Sequence, residues 1–163
     1  MEHIVIRRLE ADDLPAVTAI WNEVIEEGCA FAEESPLAWR EAAAYFTGQT
    51  YTGVAEDWRG KILGAYILHP NFSVRLSLVA NASYAVKKEC RGKGLGEQLV
   101  LHCVEQARLA GFRVLEFNAV AENNLSARRL YERLGFRPLG TIPAVFRLKS
   151  GDYTGICPYY LEL

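Results

Sequence analysis

Asn81-Ala82-Ser83-Tyr84-Ala85-Val86-Lys87-Lys88-Glu89-Cys90-Arg91-Gly92-Lys93-Gly94-Leu95-Gly96 is the stretch around which the chain is organised. Tyr84, Ala85 and Val86 read as the end of a buried strand, followed by a short polar turn. Gly92, Gly94 and Gly96 then stand at alternate positions. Behind them Leu95, Leu99, Val100, Cys103, Val104 and Ala107 recur at helical spacing, so the glycine loop opens a helix. Glycines let a backbone approach an anion closely, helix-start amides have no partner inside the helix, and the helix dipole favours negative charge there. Arg91 and Lys93 add full positive charge. The stretch predicts a diphosphate site.

Spacing narrows the choice of diphosphate. A Walker loop needs Gly-x-x-x-x-Gly-Lys-Ser/Thr, whereas Lys93 is followed by Gly94 and Leu95, so the magnesium-binding hydroxyl is missing. A dinucleotide fingerprint needs Gly-x-Gly-x-x-Gly near the start of a βαβ unit. Here the third glycine comes one residue early and the loop lies past mid-chain, although Glu116 stands near the ribose-binding distance. A plain glycine-rich turn between strand and helix is the alternative that needs no ligand.

Arg91-x-x-Gly94-x-Gly96 resembles the pyrophosphate loop of the GCN5-related N-acetyltransferase family, whose pattern is Gln/Arg-x-x-Gly-x-Gly/Ala. A second family signature follows, Asn124-x-x-Ala127 and then Leu130-Tyr131-Glu132-Arg133-Leu134-Gly135-Phe136. Two motifs in order, about thirty to forty residues apart, are far more specific than either alone. The resemblance covers most of the chain. It implies an α/β fold of the acyl-CoA N-acyltransferase type, a twisted mixed β-sheet with helices on both faces. It also implies acetyl-CoA as co-substrate. On the matching positions, the coenzyme contacts it implies come from Tyr84, Ala85, Val86, Arg91, Gly92, Lys93, Gly94, Leu95, Gly96 and Asn124. The Val86 backbone amide is the implied oxyanion donor, and Tyr131 is implied to point at the coenzyme sulfur. A phenol suits that role chemically, because the reference pKa values of phenol and thiol lie within about two units. The alternative for Tyr131 is a ring packed against the sheet.

The 163 residues suit one domain over 1–163, and a hydrophobic share of 50% is ample for one core. No apolar run reaches membrane-span length and the start Met-Glu-His-Ile-Val-Ile-Arg-Arg is unlike a signal peptide, so a cytoplasmic protein away from membranes is expected. A net charge of -2 argues against nucleic acid as partner. Cys29, Cys90, Cys103 and Cys157 form no Cys-x-x-Cys pair and are expected as free thiols, Cys103 in the core. His3, His69 and His102 do not cluster, so no metal site is expected.

The predicted order is βααβββαβαββ. Residues 4–9 form a strand, and Asp12 or Asp13 caps a helix with Leu14, Val17, Trp21 and Val24 inward, stopped by Gly28. Phe31 lies in the acidic linker that follows, either as core or as a wall of an acceptor pocket. Ser35-Pro36 reads as the next helix start, with Trp39, Ala43 and Phe46 inward. Strands are expected at 51–56, 61–68 and 74–86, then the helix 94–110 and a strand 113–120. Asn124 opens a short helix with Leu125, Leu130 and Leu134 inward, and strands 136–148 and 153–163 close the chain.

Relatives commonly carry an acid on the strand before the glycine loop, but residues 76–86 hold none. Asn81 cannot take a proton at neutral pH, yet its amide oxygen can accept from an amine. With Asn118 and Asn124 it is expected to bind a small zwitterion, carbonyl oxygens to the amine and amide hydrogens to a carboxylate. The alternatives are a helix cap for Asn124 and a solvent-facing position for Asn118. Gly140-Thr141-Ile142-Pro143, Phe146-Arg147-Leu148-Lys149, Cys157-Pro158-Tyr159-Tyr160, Trp21-Asn22-Glu23-Val24 and Phe31-Ala32-Glu33-Glu34 resemble the branch that acetylates phosphinothricin and proline analogues. That branch implies a small amino acid or analogue as acceptor, and a homodimer. The aromatic tail 153–163 points to a dimer as well. A protein N-terminal or lysine acetyltransferase and a non-catalytic acyl-CoA-binding module remain open, because substrate varies freely across one fold.

Overall fold

Two parallel strands at the centre of the molecule, β4 (Val79–Val86) and β5 (Val114–Ala121), pair only at Val79–Val114, Ala80–Leu115 and Asn81–Glu116. The computed structural model describes residues 3–163, apart from the Val74 side chain. Beyond Asn81, β4 continues beside β3 (Ile62–Pro70), while β5 continues beside β8 (Tyr153–Glu162). The sheet therefore opens between β4 and β5. Its eight strands run β1 (Ile4–Arg8), β2 (Tyr51–Asp57), β3, β4, β5, β8 and β6 (Arg137–Pro138), with β7 (Ile142–Arg147) also on β8. Only the β4–β5 step is parallel among these pairings.

Helices cover both faces, as expected. On β3, Ala65 and Ile67 point to a cluster with Trp21, Val24 and Ile25 of α1 (Leu14–Glu27) and Phe46 of α2 (Trp39–Thr47). Tyr66 and Leu68 point the other way, to Leu99, Val100 and Cys103 of α3 (Leu95–Leu109), where α4 (Leu125–Arg133) also packs. Alternation with period two thus gives one strand two buried faces. Gly53 makes this packing possible: a Cβ there would stand 2.1 Å from the ring of Tyr66. Among the described residues no helix is long and apolar enough to cross a membrane.

Several expected boundaries shift, each for a tertiary reason. Ser35-Pro36 does not start a helix; α2 begins at Trp39. Asn22 of α1 holds Leu37 from both sides of its backbone, N–H to Oδ1 at 2.8 Å and Nδ2 to the carbonyl at 3.1 Å, so the linker stays extended. The inward residues of α2 are Ala42 and Phe46, while Trp39 is 61% exposed. The strand expected over 74–86 starts only at Val79, after a 3-10 turn at Val74–Leu76. Leu125 faces solvent, and only Leu130 and Leu134 lean on the core. Residues 136–148 divide into β6 and β7, with Gly140 at φ 114 between them.

Asp13 stands at the N-cap position of α1, but its side chain does not cap the helix. Instead the buried carboxylate accepts from Arg7 at 2.6 and 2.9 Å and from the Glu10 N–H at 2.8 Å. The Arg7 hydrogen bonds hold its pKa below the usual carboxylate value, against burial. A depressed folded pKa contributes stability above the unfolded value of about 3.9, and that stability is lost as pH falls through the folded pKa. Asp13→Asn is expected to cost about 2–3 kcal/mol at neutral pH, the usual worth of a hydrogen bond to a charged group. Urea unfolding at neutral and at acid pH checks this: the gap between variant and wild type should narrow in acid.

Candidate active site

The opening between β4 and β5 is a cleft of about 970 Å³. The β3–β4 ladder decides which backbone groups face it. Lys87 N–H bonds to the Leu63 carbonyl at 3.0 Å and Asn71 N–H to that of Val79 at 2.7 Å. Hydrogen-bonded pairs alternate in an antiparallel ladder, so the N–H groups of Tyr84 and Val86 point away from β3. With β5 paired to β4 only as far as Asn81–Glu116, those donors open on the cleft.

At one end of the cleft lies the glycine loop. Gly92 and Gly94 have φ of 72 and 81, the left-handed region that a side chain would strain. No side chain caps α3, and Gln98 N–H to the Gly94 carbonyl, at 3.2 Å, is the bond that closes its first turn. The amides of Leu95, Gly96 and Glu97 are therefore free for an anion. The charges beside them are less free than the sequence suggests. Arg91 donates through Nε to the Val86 carbonyl at 2.9 Å and through Nη1 to both Glu27 oxygens at 2.8 and 2.9 Å. Lys93 Nζ donates to the Glu89 carbonyl at 2.8 Å. What this end of the cleft leaves free is therefore mainly backbone dipoles.

Tyr131 of α4 lines the cleft with its ring centre 4.5 Å from that of Phe117. Burial raises its phenol well above the usual value, so it stays protonated. Tyr84 behaves alike: its buried hydroxyl has no partner among the described residues, and burial raises its pKa strongly. Cys103 behind them is buried, its thiol pushed up to about 12 by burial, which suits a core residue.

All three asparagines line the cleft, and two of them make hydrogen bonds to the protein there. Asn81 projects from β4 on the α1–α2 side and has no hydrogen-bond partner among the described residues. Asn118 also lines the cleft, but it is exposed and reciprocally bonded to Asn71 at 2.7 and 2.9 Å. Asn71 reaches Glu116 as well, at 3.1 Å, which ties up the acid considered for a ribose. A bulge sets the aim of Asn118: Phe117 pairs with Tyr159 and Val120 with Cys157, so Asn118 and Ala119 face Pro158, which has no N–H. Asn124 caps α4, its Oδ1 accepting from Ala127 N–H at 3.3 Å. Phe31 packs 4.7 Å from Trp21 and also lines the cleft. Beside it stands Tyr45, its phenol pushed up to about 12 by burial and then by Glu33.

No local signal marks Glu27, Tyr45, Asn71 or His69 as site residues, and His69-Pro70-Asn71 reads as a strand break although β3 runs on to Pro70. His69 pairs directly with Asn81 across the β3–β4 ladder and lines the cleft. Strand alternation would have put His69 on the face of Ile67, but only a known register brings it opposite Asn81. Among the described residues no group of three or more His, Cys, Asp or Glu side chains is placed to hold a metal.

Gly96 separates ligand binding from folding. It lies within α3, and a Cβ there would meet Leu130 Cδ2 at 3.8 Å, an ordinary contact. Gly96→Val is expected to fold with a melting temperature near wild type and to weaken binding of a diphosphate-bearing coenzyme at least about tenfold, a loss of about 1.4 kcal/mol. Calorimetry with acetyl-CoA checks this; unchanged affinity would remove the diphosphate from the loop.

Comparison with known proteins agrees with this geometry. The profile described as "Acetyltransferase (GNAT) family" matches residues 14–136. N-acetyltransferase aca1 of Schizosaccharomyces pombe is 37% identical over 96 residues, 59% of this chain, and the match spans 46% of that protein's length. The L-methionine sulfoximine/L-methionine sulfone acetyltransferase of Pseudomonas paraeruginosa is 33% identical over 146 residues, 86% of this chain and 84% of the relative. The structure of a GNAT superfamily phosphinothricin acetyltransferase from Sinorhizobium meliloti, in complex with AcCoA, superposes with a TM-score of 0.90 at 27% identity, covering 98% of this chain and 88% of that one. With the profile matching residues 14–136 and a relative 33% identical over 86% of this chain, the chain belongs to the GNAT family of acetyltransferases.

Proposed function

We propose that the protein moves the acetyl group of acetyl-CoA directly to the amine of a small metabolite, an amino acid or close analogue. The observation that carries this reading is the cleft between β4 and β5, which leads from free strand donors to the uncapped start of α3. In it, the coenzyme diphosphate lies on the amides of residues 95–97 and on Gly92, Lys93 and Gly94. The amide chain of the coenzyme runs along the freed edge of Tyr84, Ala85 and Val86. The Val86 N–H stabilises the oxyanion, because that donor has no partner on β3. Arg91 acts mainly by fixing the loop to Glu27 and to the end of β4. Tyr131 hydrogen-bonds the departing sulfur. Asn124 closes the coenzyme side by holding the start of α4.

On the acceptor side, Phe31 and Asn81 face the amine, with Asn118 further out. The name of the methionine sulfone relative supports an amino-acid analogue as acceptor. A panel of free amino acids, small amines and a peptide with a free N-terminus, read by release of free coenzyme thiol, tests the reading. Release that needs an added small amine is expected. Release without any amine would indicate no acceptor transfer, and a preference for the peptide would favour a protein-modifying enzyme.

Tyr131→Phe and Asn81→Ala should separate the two halves. Tyr131→Phe keeps the ring packing and loses the donor; turnover is expected to fall about ten- to a thousand-fold while the Michaelis constant for acetyl-CoA holds. Asn81→Ala should leave coenzyme affinity unchanged and lower the acceptor specificity constant about ten- to a hundred-fold. Asn118→Ala is expected to do less, because Asn118 already spends hydrogen bonds on Asn71. Steady-state kinetics with each substrate varied in turn gives all three.

The whole chain is read as one domain of a cytoplasmic homodimer that binds neither nucleic acid nor membrane. Leu139, Ile142, Val145 and Tyr153 leave an exposed apolar band along β7 and its flanks, which supports pairing with a second copy. Light scattering at micromolar concentration should give the dimer mass, and Val145→Glu should reduce it to the monomer.

A further inference from the structure

The acetyl-transfer reading leaves one atom without a partner: the proton that the acceptor ammonium must lose before it can attack. The strand that leads to the glycine loop carries no acid, and the Asn81 amide cannot take a proton. The other cleft groups are engaged or in the wrong form. Glu27 is paired with Arg91 and Glu97 with Arg133, and Glu116, the register partner of Asn81 outside the cleft lining, accepts from Asn71. Tyr84, Tyr131 and Tyr45 are phenols kept neutral by burial. Cys29 and Glu33 stand on the exposed linker.

His69 differs from all of these. It is the register partner of Asn81, and both line the cleft. Strand parity puts it on the face of Ala65 and Ile67, the face on which Phe31 and Tyr45 pack and which the acetyl-transfer reading gives to the acceptor. Its Nδ1 lies 2.9 Å from the carbonyl oxygen of Pro70. A carbonyl can only accept, so Nδ1 carries the hydrogen, and in the neutral ring Nε2 keeps its lone pair.

We infer that His69 is the general base of the transfer, receiving a proton at Nε2 from the acceptor ammonium that Asn81 holds beside it. The inference rests on the acetyl-transfer reading. The ammonium gives one proton to Nε2, and the nitrogen lone pair so freed forms the C–N bond to the thioester carbonyl carbon. The C–S bond then breaks, sulfur leaving with the bonding pair, and the second nitrogen proton goes to that sulfur. The imidazolium returns its proton to water. The sum is acetyl-CoA plus ammonium giving the N-acetyl product, free coenzyme thiol and one proton. The Pro70 carbonyl fixes the tautomer, and a proline there offers no N–H that could compete for Nδ1.

The test is the pH dependence of the specificity constant, at saturating acetyl-CoA, for L-methionine sulfone or whichever panel amine reacts fastest. His69→Gln and Glu33→Gln are compared with wild type. His69→Gln is expected to lose about a hundred- to a thousand-fold near neutral pH. The loss should shrink as pH nears the pKa of the amine, and the midpoint of the acidic limb should move up towards that pKa. Acetyl-CoA affinity by calorimetry should be unchanged, which certifies the fold. Nitrogen NMR of labelled wild type, bound to coenzyme at mildly basic pH, should find the His69 hydrogen on Nδ1. A His69→Gln profile that keeps the wild-type limb, a limb that moves with Glu33→Gln instead, or a hydrogen found on Nε2 would each overturn the inference alone. A wild type that releases no thiol with any amine would overturn the transfer reading, and the inference with it.

Discussion

The early parting of β4 and β5 is the constraint on which the rest of the molecule depends. Parallel strands normally continue side by side, since an unpaired N–H in a sheet interior is costly. Here pairing stops after Asn81–Glu116, and each strand keeps only its outer partner. Two local features hold them apart. On β5, the bulge at Asn118 and Ala119 bends the strand opposite Pro158, whose carbonyl goes instead to the Leu139 N–H at 2.9 Å. On β4, the chain leaves the ladder at Lys87 and turns through the glycine loop into α3. The donors of Tyr84 and Val86 are left facing a cleft, which is the kind of edge an extended amide chain can complete.

Charge follows the same economy. The cleft has acidic and basic side chains in similar number, yet most are paired: Arg91 with Glu27 at 2.8 Å, Arg133 with Glu97 at 2.6 Å. These pairs tie α1 to the glycine loop and α4 to α3, so they position the walls more than they attract ligands. Their exposure makes each worth little as stability. The polar groups left without a partner at the glycine loop are oriented backbone amides of an uncapped helix start, which need no reorganisation to meet an anion. On the sheet, His69, Asn81, Ser83 and Asn118 line this cleft, with the aromatic side chains of Phe31 and Tyr45 also in its wall.

Much of the frame was legible in the sequence because it is periodic or local. The α1 stripe Val17, Trp21 and Val24, the helix behind Gly94 and the stop at Gly28 are all where spacing and glycine chemistry place them. Errors fell where a distant residue overrides a local signal. Ser35-Pro36 reads as a helix start, but Asn22 takes the backbone of Leu37 and keeps the chain extended. Asn124 was read both ways, and the cap is the one observed.

What the sequence by itself determined is therefore the order of elements, the glycine-led helix start and the residue types around it, because these follow from dihedral preference and short-range periodicity. Tertiary structure alone decided what those residues face. Register set His69 opposite Asn81, a bulge turned Asn118 towards Asn71, and the end of α1 brought Glu27 to Arg91. Each of these meetings joins positions far apart in the chain through a shared sheet or a packed helix. No spacing rule reaches them, since a one-residue slip in pairing would turn every side chain of a strand to its other face.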